Sequence, residues 1–193
     1  MKTNILIMAS IFCCLAFSCN SSKKEKPEVK IMEQTKPMAD PVKHGEHLVN
    51  SIGCSDCHTP KIFTEHGMEL DTTRLLSGHP AGDALPSYDP ETSKSYVLFS
   101  GDFTAAVGPW GTSFAANLTP DPSGIGSWTE DEFLTAIRKG LYKGLNGSRP
   151  LLPPMPWPAY RNLSDQDLKA IFAYLKSIKP VNNVVPSPIP PKG

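Results

Sequence analysis

The chain has 193 residues, 39% hydrophobic and 20% charged, with Lys+Arg and Asp+Glu equal at 19 each. That composition permits one globular domain plus appendages, and a formal charge of zero removes the simplest case for a nucleic-acid partner, since no basic excess is available to neutralise phosphates. Five cysteines are too few for a disulfide-dense mini-scaffold, and twenty prolines are too many for a plain helical bundle without long connections.

Residues 1–18 read as a lipoprotein-type signal peptide. Lys2 supplies the positive start, and Ile5 to Phe17 is almost uninterruptedly apolar. The run is shorter than the roughly 20 apolar residues a membrane-spanning helix needs. Cys13 and Cys14 lie inside it and are expected to be lost on processing. The run closes as Leu15-Ala16-Phe17-Ser18-Cys19, which resembles a bacterial lipobox, although Ala16 stands where Leu is commoner. Cys19 is thereby the expected lipidation site, and the chain is expected to be exported to the periplasm or cell envelope and held at a membrane by its lipid anchor. Residues 19–39 form the anchor and a tether rich in Ser, Lys, Glu, Pro and Thr, too polar to fold alone. As a random coil the tether spans ~25 Å.

The folded domain is expected over residues 40–180. Asp40 and Pro41 start a helix whose stripe of Gly45, Leu48, Val49 and Ile52 runs into Cys54. His44 and His47 are read as its solvated face. Cys54-Ser55-Asp56-Cys57-His58 follows. C-x-x-C-H is the attachment motif for c-type haem: two thiols at this spacing each form a thioether with a porphyrin vinyl group, and the adjacent histidine supplies a nitrogen to the iron. A thioredoxin-like dithiol needs a βαβ setting that the sequence lacks, and a zinc site needs further ligands that no second C-x-x-C provides. One motif predicts one covalent haem c, with Cys54 and Cys57 as anchors and His58 as the proximal iron ligand.

Residues 59–128 form a connection too long to be an ordinary structureless loop. Tyr96 to Phe99 reads as a short strand and Phe103 to Phe114 as an apolar stretch able to pack over the haem, so the connection is expected to wrap or shield the cofactor or to form a docking surface. No alternating run is long enough to predict a sheet. Thr129 and Glu132 form a capping box for a helix that Gly140 stops. In Leu151-Leu152-Pro153-Pro154-Met155-Pro156-Trp157-Pro158 the prolines stiffen a loop, and Met155 is the expected distal iron ligand. Met32, Met38 and Met68 rank below it, and His66 and His79 are the competing nitrogen ligands. Arg138, Arg161, Trp128, Trp157 and Tyr142 could bond haem propionates. Ser164 caps a last helix with a buried stripe of Leu168, Ile171, Phe172 and Leu175, ended by Pro180. The Pro-rich tail, 181–193, is expected to be extended and frayed.

In this order the motifs resemble class I c-type cytochromes: an N-terminal helix, CxxCH, a loop-borne methionine and a C-terminal helix crossing the first. Gly45 resembles the small residue that lets those helices approach, with Ile171 and Tyr174 facing it. Trp110-Gly111-Thr112, Asn117-Leu118-Thr119-Pro120-Asp121, Gly124-Ile125-Gly126-Ser127-Trp128 and Pro153-Pro154-Met155-Pro156-Trp157 resemble cytochrome modules of membrane-associated dehydrogenases. The resemblance covers roughly residues 41–180 and implies a mostly α, cytochrome c-like domain around one covalent haem, with a long loop-rich insertion at about 59–128. The function implied is that of an electron-transfer protein rather than an enzyme, a monohaem carrier between redox partner proteins at the envelope. The alternatives are a haem enzyme with a labile sixth ligand that reduces a small molecule such as peroxide, a redox or gas sensor, and a cytochrome subunit of a dehydrogenase complex.

Overall fold

Three capped helices frame the core of the computed structural model, which describes residues 40–191. The expected signal peptide, Cys19 and the tether lie outside the described residues. Helix α1 (Pro41–Ser51) starts where the Asp40 carboxylate accepts from the Lys43 amide at 3.1 Å, satisfying one of the donors a helix start leaves free. After Ile52 the chain turns through Gly53 at φ +79, a left-handed conformation that glycine adopts without a Cβ clash. It re-enters a helix at once as α2 (Cys54–His58).

The connection between the haem motif and the next long helix holds structure of its own. Strands β1 (Lys61–Thr64) and β2 (Gly67–Leu70) form an antiparallel hairpin that pairs Lys61 with Leu70 and Phe63 with Met68. A short helix α3 (Pro90–Ser93) precedes a three-stranded antiparallel sheet, β3 (Leu98–Phe99), β4 (Ala105–Gly108) and β5 (Gly111–Phe114), in that order. The short strand expected at Tyr96–Phe99 is thus present as β3, within a sheet that no alternating run announced. The strands are four residues or shorter, and β4 is buried along its whole length, so no two-residue alternation marks it in the sequence.

Helix α4 (Glu130–Lys139) carries the complete Thr129–Glu132 capping box and ends at Gly140, φ +65. A four-residue helix α5 (Trp157–Tyr160) leads to α6 (Asp165–Ser177), capped by Ser164. The core gathers Val49 from α1, Phe133 and Ile137 from α4, and Leu168, Ile171, Phe172 and Leu175 from α6. The Phe133 and Phe172 rings lie 5.3 Å apart. Helices α1 and α6 cross at Gly45, where a Cβ would stand 1.9 Å from the Ala170 carbonyl oxygen and 2.9 Å from Tyr174 Cβ. The small residue the crossing was expected to need is in place. His44 departs from its reading as part of a solvated face: its Nε2 donates to Asp167 at 2.7 Å and pins α1 to the start of α6.

The tail is also corrected. Ile189 pairs with Thr112 through two backbone hydrogen bonds of 2.8 and 3.0 Å, extending the β5 edge. Asn183 donates to the Ser77 and His79 carbonyls, and Asn117 donates to that of Val181. Prolines keep the tail from helix, but backbone groups between them remain available to pair.

Candidate haem site

Cys54 and Cys57 sit one turn apart on α2 as free thiols, both half-buried. Burial pushes the Cys54 thiol up to about 11 and raises Cys57 as well. An attacking dithiol needs the opposite shift, because the thiolate is its reactive form. The direction of the shift gives no support to a redox-active dithiol.

His58 Nδ1 lies 2.7 Å from the Ala116 carbonyl oxygen. A carbonyl only accepts, so Nδ1 carries the proton and the Nε2 lone pair is the one free to bind a metal. Burial holds the imidazole below its ordinary pKa, which keeps it neutral. The Ala116 segment reaches this position because it runs beside residues 76–79: Leu118 donates to the Leu76 carbonyl and His79 to that of Ala115, while Gly78 donates to the His58 carbonyl at 2.8 Å.

Met155 lines an apolar cleft of about 440 Å³ with Leu151, Pro153, Pro154, Pro156 and Trp157. The loop is tied down on three sides. Leu151 donates to the Gly140 carbonyl at 2.7 Å, the Ser113 hydroxyl to that of Pro153 at 2.6 Å, and the Tyr160 hydroxyl to that of Ile52 at 2.6 Å. The last bond joins the methionine loop to the turn that opens the cysteine helix. Tyr160 remains a donor throughout the physiological range, since burial above all pushes its hydroxyl up to about 12. Cys54 and Met155 pack against the same helical core. Two free thiols, a neutral imidazole with one unengaged nitrogen and a thioether on an apolar cleft fit a covalent haem.

The other candidates stand elsewhere. His66 is exposed beside Glu65 on the β1–β2 hairpin, and Met68 lies on β2 with its side chain partly in solvent. His79 is 2% exposed; its Nδ1 is 2.7 Å from Thr104 Oγ1 and its ring tilts against Phe114. Thr104 spends its single proton on Asp102, so it accepts from His79 Nδ1–H and leaves Nε2 without a partner. Arg138 is engaged by the Arg161 carbonyl and by Asp165. Met32 and Met38 lie outside the described residues. Sequence reasoning missed Tyr160, Ala116 and the Asp102–Thr104–His79 chain. A tyrosine close after the Pro-rich methionine loop was the one available signal; the rest depend on long-range pairing.

Fold and site together define a covalent-haem module with a loop-borne methionine. The cytochrome c family model matches residues 42–179, and this chain belongs to that family. Its cofactor is haem c. The chain is similar to the gluconate 2-dehydrogenase cytochrome c subunit of Pantoea cypripedii, 32% identical over 142 residues, 72% of this chain and 24% of that one. It is 41% identical over 142 residues to the alcohol dehydrogenase (quinone) cytochrome c subunit of Gluconobacter oxydans, again 72% of this chain and 22% of the relative. It is also 38% identical over 86 residues to the fructose dehydrogenase cytochrome subunit of Gluconobacter japonicus, 44% of this chain and 17% of that one. The chain thus spans about a quarter or less of the length of these relatives. Among the described residues no helix is long and apolar enough to cross a membrane.

Proposed function

We propose that this chain is a one-electron carrier at the cell envelope, working between redox partner proteins. Cys54 and Cys57 would anchor the haem through thioethers, and His58 Nε2 and Met155 are the side chains that would bind its iron. Bound haem supplies the one-electron iron couple. The protein supplies orientation and water exclusion. The Ala116 carbonyl fixes the plane and tautomer of His58, and the Pro-rich loop holds the Met155 sulfur with little freedom to lose. With both side chains bound to it, the iron would have no position open to a small molecule. The observation that carries this reading is the Tyr160–Ile52 hydrogen bond, which ties the methionine loop to the cysteine-bearing turn.

The relatives named as dehydrogenase cytochrome subunits favour a dehydrogenase among the electron donors. Residues 59–128 act as an insertion that shields the haem edge from water and so tunes its potential. Export with lipidation at Cys19 confines the carrier near its partners and raises their effective concentration.

Electronic spectra of purified wild type and Met155→Ala test the ligation. The wild type is expected to be low-spin in both oxidation states and inert to carbon monoxide when reduced. The variant is expected to lose the methionine-to-iron charge-transfer band and to bind carbon monoxide. An unchanged ferric spectrum in Met155→Ala, or ready carbon monoxide binding by the wild type, rejects the six-coordinate carrier. Loss of haem staining after denaturing electrophoresis rejects covalent attachment.

A further inference from the structure

An aromatic face stands beside the haem-attachment helix. In the β1–β2 register Lys61 opposes Leu70 and Phe63 opposes Met68, and directly opposed residues of an antiparallel pair share a face. Phe63, Met68 and Leu70 therefore project together. The Phe63 ring reaches the turn between β3 and β4, where a Cβ on Gly101 would meet its Cζ at 3.8 Å. From that turn Phe103 meets Phe99 edge-on, with centroids 5.7 Å apart. The Lys61 ammonium lies 6.0 Å from the Phe103 centroid. Phe63 is 71% exposed and Phe103 41%, and the other members are also exposed. An apolar cluster of this kind, in solvent and in one place, marks an interaction site.

Two further features set this face apart from leftover hydrophobic surface. Phe103 is held at φ +61, a region unfavourable for a bulky side chain. Its neighbours hold it there: the Ser100 and Thr104 hydroxyls both donate to Asp102, and the Phe103 amide donates to the Ser100 carbonyl. A Gly or Asn would relieve the backbone, so stability alone does not account for the aromatic. The face is also coupled to the haem motif. Lys61 Nζ donates to the carbonyls of Ser55, Asp56 and Thr59, which belong to the cysteine–histidine helix and its end.

The charge around the face selects the occupant. Asp56, Glu65 and Asp102 lie on or beside these elements, and the cation among them, Lys61, is tied to three carbonyls. Over residues 59–128 eight acidic residues stand against three basic ones, although the whole chain is neutral. An apolar centre with an acidic rim is complementary to an apolar centre with a basic collar, and such complementarity steers encounter.

We propose that this face, built from Phe63, Met68, Leu70, Phe99 and Phe103, docks a redox protein whose contact surface is apolar and ringed by lysine or arginine. It rests on the electron-carrier reading above. Transfer across it moves one electron: one ferrous iron of this chain is oxidised, one acceptor centre of the partner is reduced, and no proton or group moves. The reverse direction balances in the same way.

The test uses the full-length holoprotein and a small lysine-collared cytochrome c of mitochondrial type as the probe, with ferricyanide as a small-molecule control. The variant is Phe63→Thr/Phe103→Asn, with residues suited to a strand and to a positive φ. Its haem spectrum and unfolding midpoint establish that it folds. At low ionic strength the second-order electron-exchange rate with the basic cytochrome is expected to fall at least tenfold, while the ferricyanide rate stays within twofold. Amide resonances of residues 61–70 and 98–103 are expected to shift when the basic cytochrome is added to wild type, and Glu65→Lys is expected to weaken both effects. An unchanged rate with the basic cytochrome overturns the proposal, as does an equal fall with ferricyanide. Concentration-dependent dimerisation of wild type that the variant abolishes also overturns it, because the occupant is then a second copy. If wild type exchanges electrons with neither oxidant, the carrier reading fails and takes this proposal with it.

Discussion

Replacing Gly45 with alanine adds one methyl group at the tightest point between the two terminal helices. The new Cβ would sit 1.9 Å from the Ala170 carbonyl oxygen and 2.5 Å from its carbon, both backbone atoms of α6. No rotamer change relieves that contact, so the helices must separate by about 1.5 Å to reach ordinary van der Waals distance. Separation loosens Val49 of α1 against Ile171, Tyr174 and Leu175 of α6, all of them buried. Overpacking of a well-filled core costs ~1–3 kcal/mol, and a forced shift of backbone belongs at the upper end. Alanine returns ~1 kcal/mol through its helix propensity. The net expectation is a loss of ~2 kcal/mol, or ~4–8 °C in melting temperature for a chain of this size. Thermal unfolding of the holoprotein, followed by far-ultraviolet circular dichroism and by haem absorption, measures it. Gly82→Ala is the control: a Cβ there meets nothing within 4 Å, so no loss is expected. If Gly45→Ala melts at or above the wild-type temperature, the close crossing does not limit packing and the reasoning is wrong.

Two further outcomes follow from single hydrogen bonds. Tyr160→Phe removes the donor to Ile52, with an expected cost of ~1 kcal/mol. The freed methionine loop is expected to let carbon monoxide bind the reduced protein faster than in wild type, and an unchanged binding rate refutes the tie between loop and turn. Asp167 is held below its ordinary pKa first by the His44 hydrogen bond and then by Ser164, against the opposing effect of burial. Its folded pKa is thus lower than its unfolded one. The stabilisation is present above the ordinary carboxylate range and is lost as pH falls through the depressed value, below ~4. Asp167→Asn is expected to flatten this acid limb in unfolding midpoints measured from pH 6 to pH 2. An acid limb as steep as the wild type's contradicts the assignment.

Much of the frame is legible in the chain because its signals are local. Asp40, Thr129 with Glu132, and Ser164 cap helices through bonds that span three residues. The stripe from Leu168 to Leu175 follows helical periodicity. The cysteine–histidine motif is readable for the same reason, since two thioethers and a ligand at fixed spacing need no distant partner to be recognised. The docked tail and the His44–Asp167 pair escape such reading because each joins segments far apart in sequence, and the short sheet escapes it because its strands are brief and β4 is buried throughout.

By itself, then, the sequence determined the caps, the apolar stripes and the positions of Cys54, Cys57 and His58, while the glycine at the helix crossing was readable only through the family resemblance. Only the tertiary structure decided that Ala170 is what Gly45 meets, that Ala116 orients His58, and that Tyr160 ties the Met155 loop to Ile52. It also decided that Phe63, Phe99 and Phe103 form one exposed face beside the haem motif. The division has a physical cause. Capping and periodicity act within one or two helical turns, where chain geometry leaves few choices. A hydrogen bond or packing contact across many residues depends on how the whole chain closes its loops and which surfaces it buries together.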